Sequence, residues 1–217
     1  MPASTILTKA KKRIGALAER VNDPTLAASD ADDALLEMYL EDALVEVATR
    51  TDRLTDSETL SLSQGTATKP KPPYLDKILE AAIYDGDRYE LKLVEGSTLA
   101  SASKNPDAET GRPEKVGAHG GSLYFWPVPS KAYDVELEIG LNGSVGTGMT
   151  IDAVVDAAPS ELDRALVAFV VREYFDFHGE PGLSDQAGQR YERGVRQHKG
   201  DPLAQKTATR HYNPLGF

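Results

Sequence analysis

A strictly alternating stretch in the second half of the chain constrains the fold more than any other feature. From Tyr133 to Ile139 every second residue is apolar, and the residues between them are Asp134, Glu136 and Glu138. Successive side chains of a strand point to opposite faces, so this pattern predicts a strand with one buried face and one acidic face. The chain therefore contains β-structure whose outer surface is charged.

An aromatic run and two prolines precede this strand. Residues 124–126 are Tyr-Phe-Trp, residues 127–129 are Pro-Val-Pro, and the tryptophan is the single one of the chain. Proline has no N–H to donate to a strand ladder, so the sequence predicts a turn at this point. We interpret the segment as a structural or assembly hairpin. Its proposed members are Tyr124, Trp126, Pro127, Pro129 and Tyr133.

The aromatic run has a second interpretation, a stacking platform for sugars or single-stranded bases. Packing in the core or at a subunit interface is favoured, because large aromatic side chains concentrate in both places. The platform interpretation leads to an alternative function, in which the β region is a module that binds a glycan or a peptide.

Two helices are predicted before the β region. Apolar residues recur at helical spacing from Ile6 to Val21, and a second apolar face runs from Leu36 to Val47. The second helix is expected to begin at Ser29, whose hydroxyl would cap the first turn while Asp32 follows three residues later.

A β region is predicted after Asp52. Residues 58–63 alternate, and the stretch from Ile78 to Tyr84, followed by Asp85-Gly86, is typical of a hairpin. A helix from Leu75 to Ile83 also fits the apolar spacing, but the Asp-Gly turn favours the strand. Residues 96–118 are polar and rich in glycine, serine and proline, which predicts a long loop.

Helices return near the end of the chain. Ser160 is placed to cap a strongly apolar helix from Leu162 to Phe177, and a last helix covers about Leu183 to Gln197. This order predicts an α+β fold: a helical bundle formed by N- and C-terminal helices, with an inserted antiparallel β region and an extended C-terminal arm. The predicted segments are 1–54 and 158–197 for the bundle, 55–157 for the β-rich insertion and 198–217 for the arm.

The charge is divided unevenly along the chain. There are 34 acidic and 24 basic residues, a net charge of -10, which argues against a general affinity for phosphate backbones. The segment from Arg193 to Phe217 nevertheless carries +4, and the remainder carries -14. Such segregation indicates a separate role for the tail.

Composition also limits the compartment. The chain has no cysteine, no apolar run long enough for a membrane span and no apolar secretion signal near its start, so we expect a cytosolic origin and no membrane partner.

Residue patterns of catalysis or cofactor binding are lacking. His119, His178, His198 and His211 do not have the spacing of a zinc site. The glycine-rich stretch 140–148 lacks the lysine and the following helix of a phosphate-binding loop. The sequence therefore predicts no catalytic residue, no metal and no cofactor. An uncharacterised hydrolase that uses carboxylates without evident ion-pair partners is the third functional hypothesis, although the sequence does not bring any two carboxylates together.

Several segments, taken in order, resemble a known family. They are Ser29–Asp32 leading into Met38–Thr51, the turn Tyr84–Gly86, the tripeptide Gly111–Pro113, the stretch Leu123–Tyr133 and the helix Glu161–Phe177. Together they cover about residues 5–197. In this arrangement the chain resembles the head-to-tail adaptor, or connector, proteins of tailed bacteriophages.

This resemblance implies a structural virion protein and not an enzyme. Such proteins are made in the host cytoplasm and form a ring, here a dodecamer, in the neck between the capsid portal and the tail or nozzle proteins. DNA passes through the ring without being read in a sequence-specific way, and an acidic chain suits this passage because like charges repel. The resemblance also implies that the C-terminal arm contacts the portal protein. The residues expected to do so are Arg196, Lys199, Lys206, Arg210, Tyr212 and Phe217.

Overall fold

The computed structural model describes residues 2–29, 32–105, 108–146 and 148–198. They form an α+β structure in which N- and C-terminal helices flank a β region, which confirms the predicted fold class. The helices are α1 (Ala3–Arg20), α2 (Asp33–Thr51), α3 (Gly96–Ala102), α4 (Ile151–Ala157), α5 (Asp163–Phe177) and α6 (Pro181–His198). The strands are β1 (Thr55–Leu62), β2 (Thr68–Pro70), β3 (Leu75–Asp85), β4 (Asp87–Glu90), β5 (Lys92–Leu93), β6 (Thr110–Gly111), β7 (Lys115–His119), β8 (Ser122–Trp126), β9 (Val128–Pro129) and β10 (Tyr133–Leu141).

The chain divides into two compact units. Among the described residues, a helical unit contains those up to Leu54 and those from Asn142 to His198, and a β unit contains those between Thr55 and Leu141. Helix α4 belongs to the helical unit, whereas its residues fall within the β-rich insertion, 55–157, that was predicted from the sequence. Its seven residues are too few to show a clear helical period, and Asp152 in its first turn accepts a hydrogen bond of 2.7 Å from the backbone N–H of Ala3.

Helix α5 is the centre of the helical unit, as its apolar sequence predicts. It packs against α1, α2 and α6. The apolar faces predicted for the first two helices are buried in this core, except that Val21 follows the end of α1 and is 46% exposed. The largest members of the core include Ile6, Ile14, Leu36, Leu40, Leu44, Tyr174, Phe175 and Tyr191. Burying a large apolar side chain stabilises a fold by about 1.5–3 kcal/mol, so this core holds the first and last quarters of the chain together.

Neither predicted serine cap is present. The Ser29 N–H and hydroxyl both donate to the Asp32 carboxylate, at 2.7 and 3.0 Å, and α2 begins only at Asp33. The Ser29 N–H also holds the pKa of Asp32 below its ordinary value. Ser160 lies in a 3-10 turn before α5 and makes no capping hydrogen bond with its side chain. Each serine is the first residue of a short turn that precedes the helix, so neither serine occupies the N-cap position.

The described residues of the β unit form two four-stranded sheets and one two-stranded sheet. The first has the order β1-β10-β3-β4 and is antiparallel throughout. The second has the order β2-β8-β7-β5, with only the β5–β7 pair parallel, and β6 pairs with β9 in parallel. The alternating strand is confirmed as β10, whose apolar residues at positions 133, 135, 137 and 139 are buried.

The Asp85-Gly86 hairpin is confirmed and the alternative helix is wrong. Strands β3 and β4 pair through Asp85 and Asp87, and Gly86 lies between them with a φ of +81°. This left-handed conformation suits glycine, because a side chain there would be strained.

The loop predicted for residues 96–118 is wrong, because this stretch contains α3, β6 and β7. Its glycines allow close packing rather than flexibility. A Cβ atom on Gly96 would lie 2.3 Å from the Ala118 carbonyl oxygen, and one on Gly117 would lie 2.4 Å from the Val94 carbonyl oxygen. Glycine is required where two backbones approach this closely, and composition alone does not separate that use from a loop.

The proposed aromatic hairpin is also wrong in its pairing. Strand β8, which contains Tyr124 and Trp126, pairs with β2 and β7, whereas β10 pairs with β1 and β3. The segment between β8 and β10 contains a cis peptide bond before Pro127 and the short strand β9, which pairs with β6. The Pro-Val-Pro segment is therefore a crossover between two sheets, because strand partners are set by contacts distant in sequence.

Candidate partner-binding surfaces

The predicted hairpin residues are packed into the β unit. Pro127, Pro129 and Tyr133 are buried, while Tyr124 and Trp126 are half-buried on one face of β8. Phe125 points to the other face and is fully buried. The three consecutive aromatic residues therefore do not form one continuous platform.

Only one of the six predicted portal-contacting residues lies within the described part of the chain. Arg196 is exposed near the end of α6, and it lines a cleft between α5 and α6 together with Arg172 and Glu192. Lys199, Lys206, Arg210, Tyr212 and Phe217 lie outside the described residues. Their contact with a portal stays a prediction.

A basic groove, formed by α1, α5 and α6, lies in the helical unit. Its volume is about 570 Å³, and its apolar floor includes Leu17, Val167 and Val171. Five basic residues and a single acidic one, Asp163, line it. The basic residues are Lys9, Arg13, Arg164, Arg190 and Arg193. In a chain with a net charge of -10, this groove is a local concentration of positive charge, which attracts acidic groups.

This groove was not predicted from the sequence. Lys9 and Arg13 are four residues apart, and Arg190 and Arg193 are three apart, so each pair lies on one helix face. The spacing therefore indicated two basic helix faces. It did not indicate that both faces meet over α5, because that depends on packing between the two ends of the chain.

Helix α2 carries the opposite kind of surface, which we call the acidic stripe. It consists of Glu37, Met38, Glu41, Asp42 and Val45. Met38 is 48% exposed and Val45 is 40% exposed, and the three acidic residues surround them. From Glu37 to Thr49 the sequence has no basic residue.

The first sheet of the β unit has an acidic face. Asp134, Glu136 and Glu138 alternate along β10, and Glu138 lies opposite Glu80 on β3. Arg88 pairs with Glu80, with Glu90 at 3.2 Å and with Glu136 at 3.9 Å. The alternating sequence predicted the acidic residues of β10, but only the register shows how one arginine bridges three strands.

An ion-pair cluster joins α2 to α6. Arg50 donates to both carboxylate oxygens of Glu192, at 2.7 and 2.8 Å, and to Glu46 at 3.1 Å. Tyr191 donates its hydroxyl to Glu46 at 3.1 Å, and its ring lies beneath the Arg50 guanidinium at 5.4 Å. Burial, together with Glu46, raises the pKa of Tyr191, so the phenol stays protonated and donates. The cluster is therefore a structural clamp between helices.

This clamp predicts a pH-dependent stability. The Arg50 hydrogen bonds hold the pKa of Glu192 below its ordinary value of 4.5. The charged carboxylate therefore contributes stability fully above pH 4.5, and the contribution is lost as the pH falls through the lower pKa of the folded protein. At neutral pH we expect Glu192→Gln to cost roughly 0.5–1 kcal/mol, because the pair is partly exposed.

The measurement is chemical denaturation of wild type and Glu192→Gln over a series of pH values. The difference between their midpoints is expected to shrink once the pH falls below 4.5. Glu161→Gln, an exposed change in the same unit, is the control. A difference that stays constant down to low pH would contradict the role assigned to Glu192.

The described residues provide neither a metal-binding cluster nor a membrane-spanning helix. Across residues 2–29, 32–105, 108–146 and 148–198, no group of three or more His, Asp or Glu residues is arranged to hold a metal ion. None of the helices that the structure describes is both long enough and apolar enough to cross a membrane.

Comparison with known families gives the class of protein that has these surfaces. The SU10 adaptor protein family matches residues 1–215, which is nearly the whole chain. The chain therefore belongs to the SU10 adaptor protein family. No curated protein sequence matches it. The family is one of bacteriophage structural adaptor proteins and not of enzymes, so the chain is a structural component of a virion that interacts with other virion components.

Proposed function

We propose that this protein is a head-to-tail adaptor, which forms a dodecameric ring in the neck of the virion, joins the portal to the tail or nozzle proteins and lets DNA pass. The match of the SU10 adaptor protein family to residues 1–215 carries this proposal. The resemblance noted from the sequence supports the finer assignment to the neck.

The distribution of charge supports DNA passage. Asp134, Glu136 and Glu138 cover one face of β10, and the chain as a whole carries -10. A surface of this sign repels the phosphate backbone, so DNA that moves along it is not retained.

Attachment to the portal is assigned to the C-terminal arm. The +4 charge of residues 193–217 is suited to an acidic portal surface, and Tyr212 and Phe217 supply aromatic anchors. A ring presents one arm per subunit, so many weak contacts act together and the joint is stable through multivalency.

The test mixes the purified protein with the portal ring of the same phage and follows co-migration by gel filtration and negative-stain imaging. We expect a ring of adaptor density on the portal with wild type, and a strong loss of binding for a chain cut after Gln197. Two full-length variants separate the contribution of the basic residues of the arm to portal binding from that of its aromatic residues. One replaces Lys199, Lys206 and Arg210 with alanine, and the other replaces Tyr212 and Phe217.

The outcomes separate the two parts of the proposal. Wild type that never migrates with the portal would contradict the adaptor function. Equal binding by wild type and by the shortened chain would remove the arm from the joint and leave the adaptor function intact.

A further inference from the structure

The groove contains four arginines without an ion-pair partner among the residues that the structure describes. Within the part of the chain that the structure describes, Arg13, Arg164, Arg190 and Arg193 make no ion pair. They surround an apolar floor, so the surface suits a ligand that has carboxylates around an apolar centre.

The acidic stripe has this composition. Met38 and Val45 are its exposed apolar centre, and Glu37, Glu41 and Asp42 lie around them without an ion pair among the described residues. From Met38 to Val45 the stripe is about 10 Å long at the rise of an α-helix. The groove floor from Arg164 to Val171 has the same number of residues and hence the same length.

We infer that the acidic stripe of one copy of this chain docks into the basic groove of a second copy. The inference rests on the proposed ring and names the two surfaces that meet between neighbouring subunits. Stripe and groove share no residue, so each copy offers its stripe to one neighbour and its groove to the other. Such a head-to-tail contact is heterologous, and it produces a ring when the rotation between neighbours closes.

Charge determines the direction of the contact. A contact between the grooves of two copies would bring positive charges together, and a contact between their stripes would bring negative charges together. Both arrangements are therefore disfavoured. Only the pairing of stripe with groove brings carboxylates to guanidinium groups and covers the exposed Met38 and Val45.

The chain has no cysteine, so a disulfide between two copies can form only through cysteines that are introduced by mutation. One variant carries Val45→Cys in the stripe and a second carries Val167→Cys in the groove. Both positions are at least partly exposed, so the variants are expected to fold. When the two are mixed under mild oxidation, we expect a mixed disulfide dimer to form roughly tenfold faster than the dimer of Val45→Cys with a control. The control is Glu19→Cys, an exposed site on α1. All rates are normalised to each thiol's reaction with iodoacetamide.

Charge reversal in the same assay tests the pairing of residues. Arg190→Glu and Arg193→Glu in the groove copy are expected to return the rate to the control level. Glu41→Lys and Asp42→Lys in the stripe copy are then expected to restore it. Lys12→Glu with Lys104→Glu, two exposed lysines outside the groove, is the matched control and should leave the rate unchanged.

A rate for Val45→Cys with Val167→Cys no higher than the control rate would overturn the inference. A fast rate that ignores both charge reversals would overturn it as well. Neither result affects portal binding by the full-length chain, so failure of this contact and failure of the adaptor function are distinguished.

Discussion

Replacing Tyr191 with alanine is expected to destabilise the helical unit by about 3–5 kcal/mol, the range for removing a buried aromatic ring. The Tyr191 side chain is fully buried in α6 and meets the Phe169 ring edge-on at a centroid distance of 5.2 Å. The Arg50 and Arg172 guanidinium groups lie over its ring at 5.4 and 5.3 Å. Loss of the ring therefore leaves a cavity and removes the aromatic surface on which both cations lie.

The measurement is urea denaturation followed by the circular dichroism of the helices. Tyr191→Phe is the matched control, because it keeps the ring and removes only the hydrogen bond to Glu46, at a cost of about 0.5–1.5 kcal/mol. Similar midpoints for the alanine variant and wild type would show that the helices are not held together through this residue.

Replacing Phe125 with alanine is expected to destabilise the β unit by about 3–5 kcal/mol. Phe125 is fully buried, its N–H donates to the Ala67 carbonyl oxygen at 2.8 Å, and it lies opposite Val116 on β7. Its neighbour Tyr124 points to the other face of the same strand and is half-buried. Tyr124→Ala is therefore expected to cost clearly less.

The fluorescence of Trp126, the only tryptophan of the chain, follows unfolding of the β unit in both variants. An equal loss of stability in the two would contradict the assignment of Phe125 to the core and Tyr124 to the outer face. The same pair tests the interpretation of the aromatic run, since a stacking platform would leave stability nearly unchanged in both variants.

Prediction from sequence succeeded where a side-chain period extends over several residues. The alternation from Tyr133 to Ile139 predicted β10, and the helical spacing in α1, α2 and α5 predicted helices whose apolar faces are buried except at the two ends Val21 and Phe177, which are exposed. It failed where a residue type has two uses. Gly96 and Gly117 were interpreted as loop glycines, but they permit close contact of backbones. Ser29 and Ser160 were interpreted as caps, but each is the first residue of a short turn before the helix.

The candidate surfaces likewise include features that the sequence shows and features that it does not show. The acidic residues of α2 and the basic residues of α6 are visible in the sequence as one-sided faces. The groove is not visible there, because it requires α1 from one end of the chain to lie beside α6 from the other end, with α5 as the floor. The pairing of Arg50 with Glu192 also joins residues that are 142 positions apart.

The sequence by itself determined the features of this protein that repeat over a long segment: the helices α1, α2, α5 and α6, the strand β10, the apolar faces of these elements, and the places where charge of one sign concentrates. Those features follow from the side-chain period of a helix or a strand, which can be read from each segment without the rest of the chain. Only the tertiary structure decided which strands share a sheet, why the Pro-Val-Pro segment is a crossover, and how five basic residues come to surround one groove. These properties depend on packing between distant residues, which no local period contains.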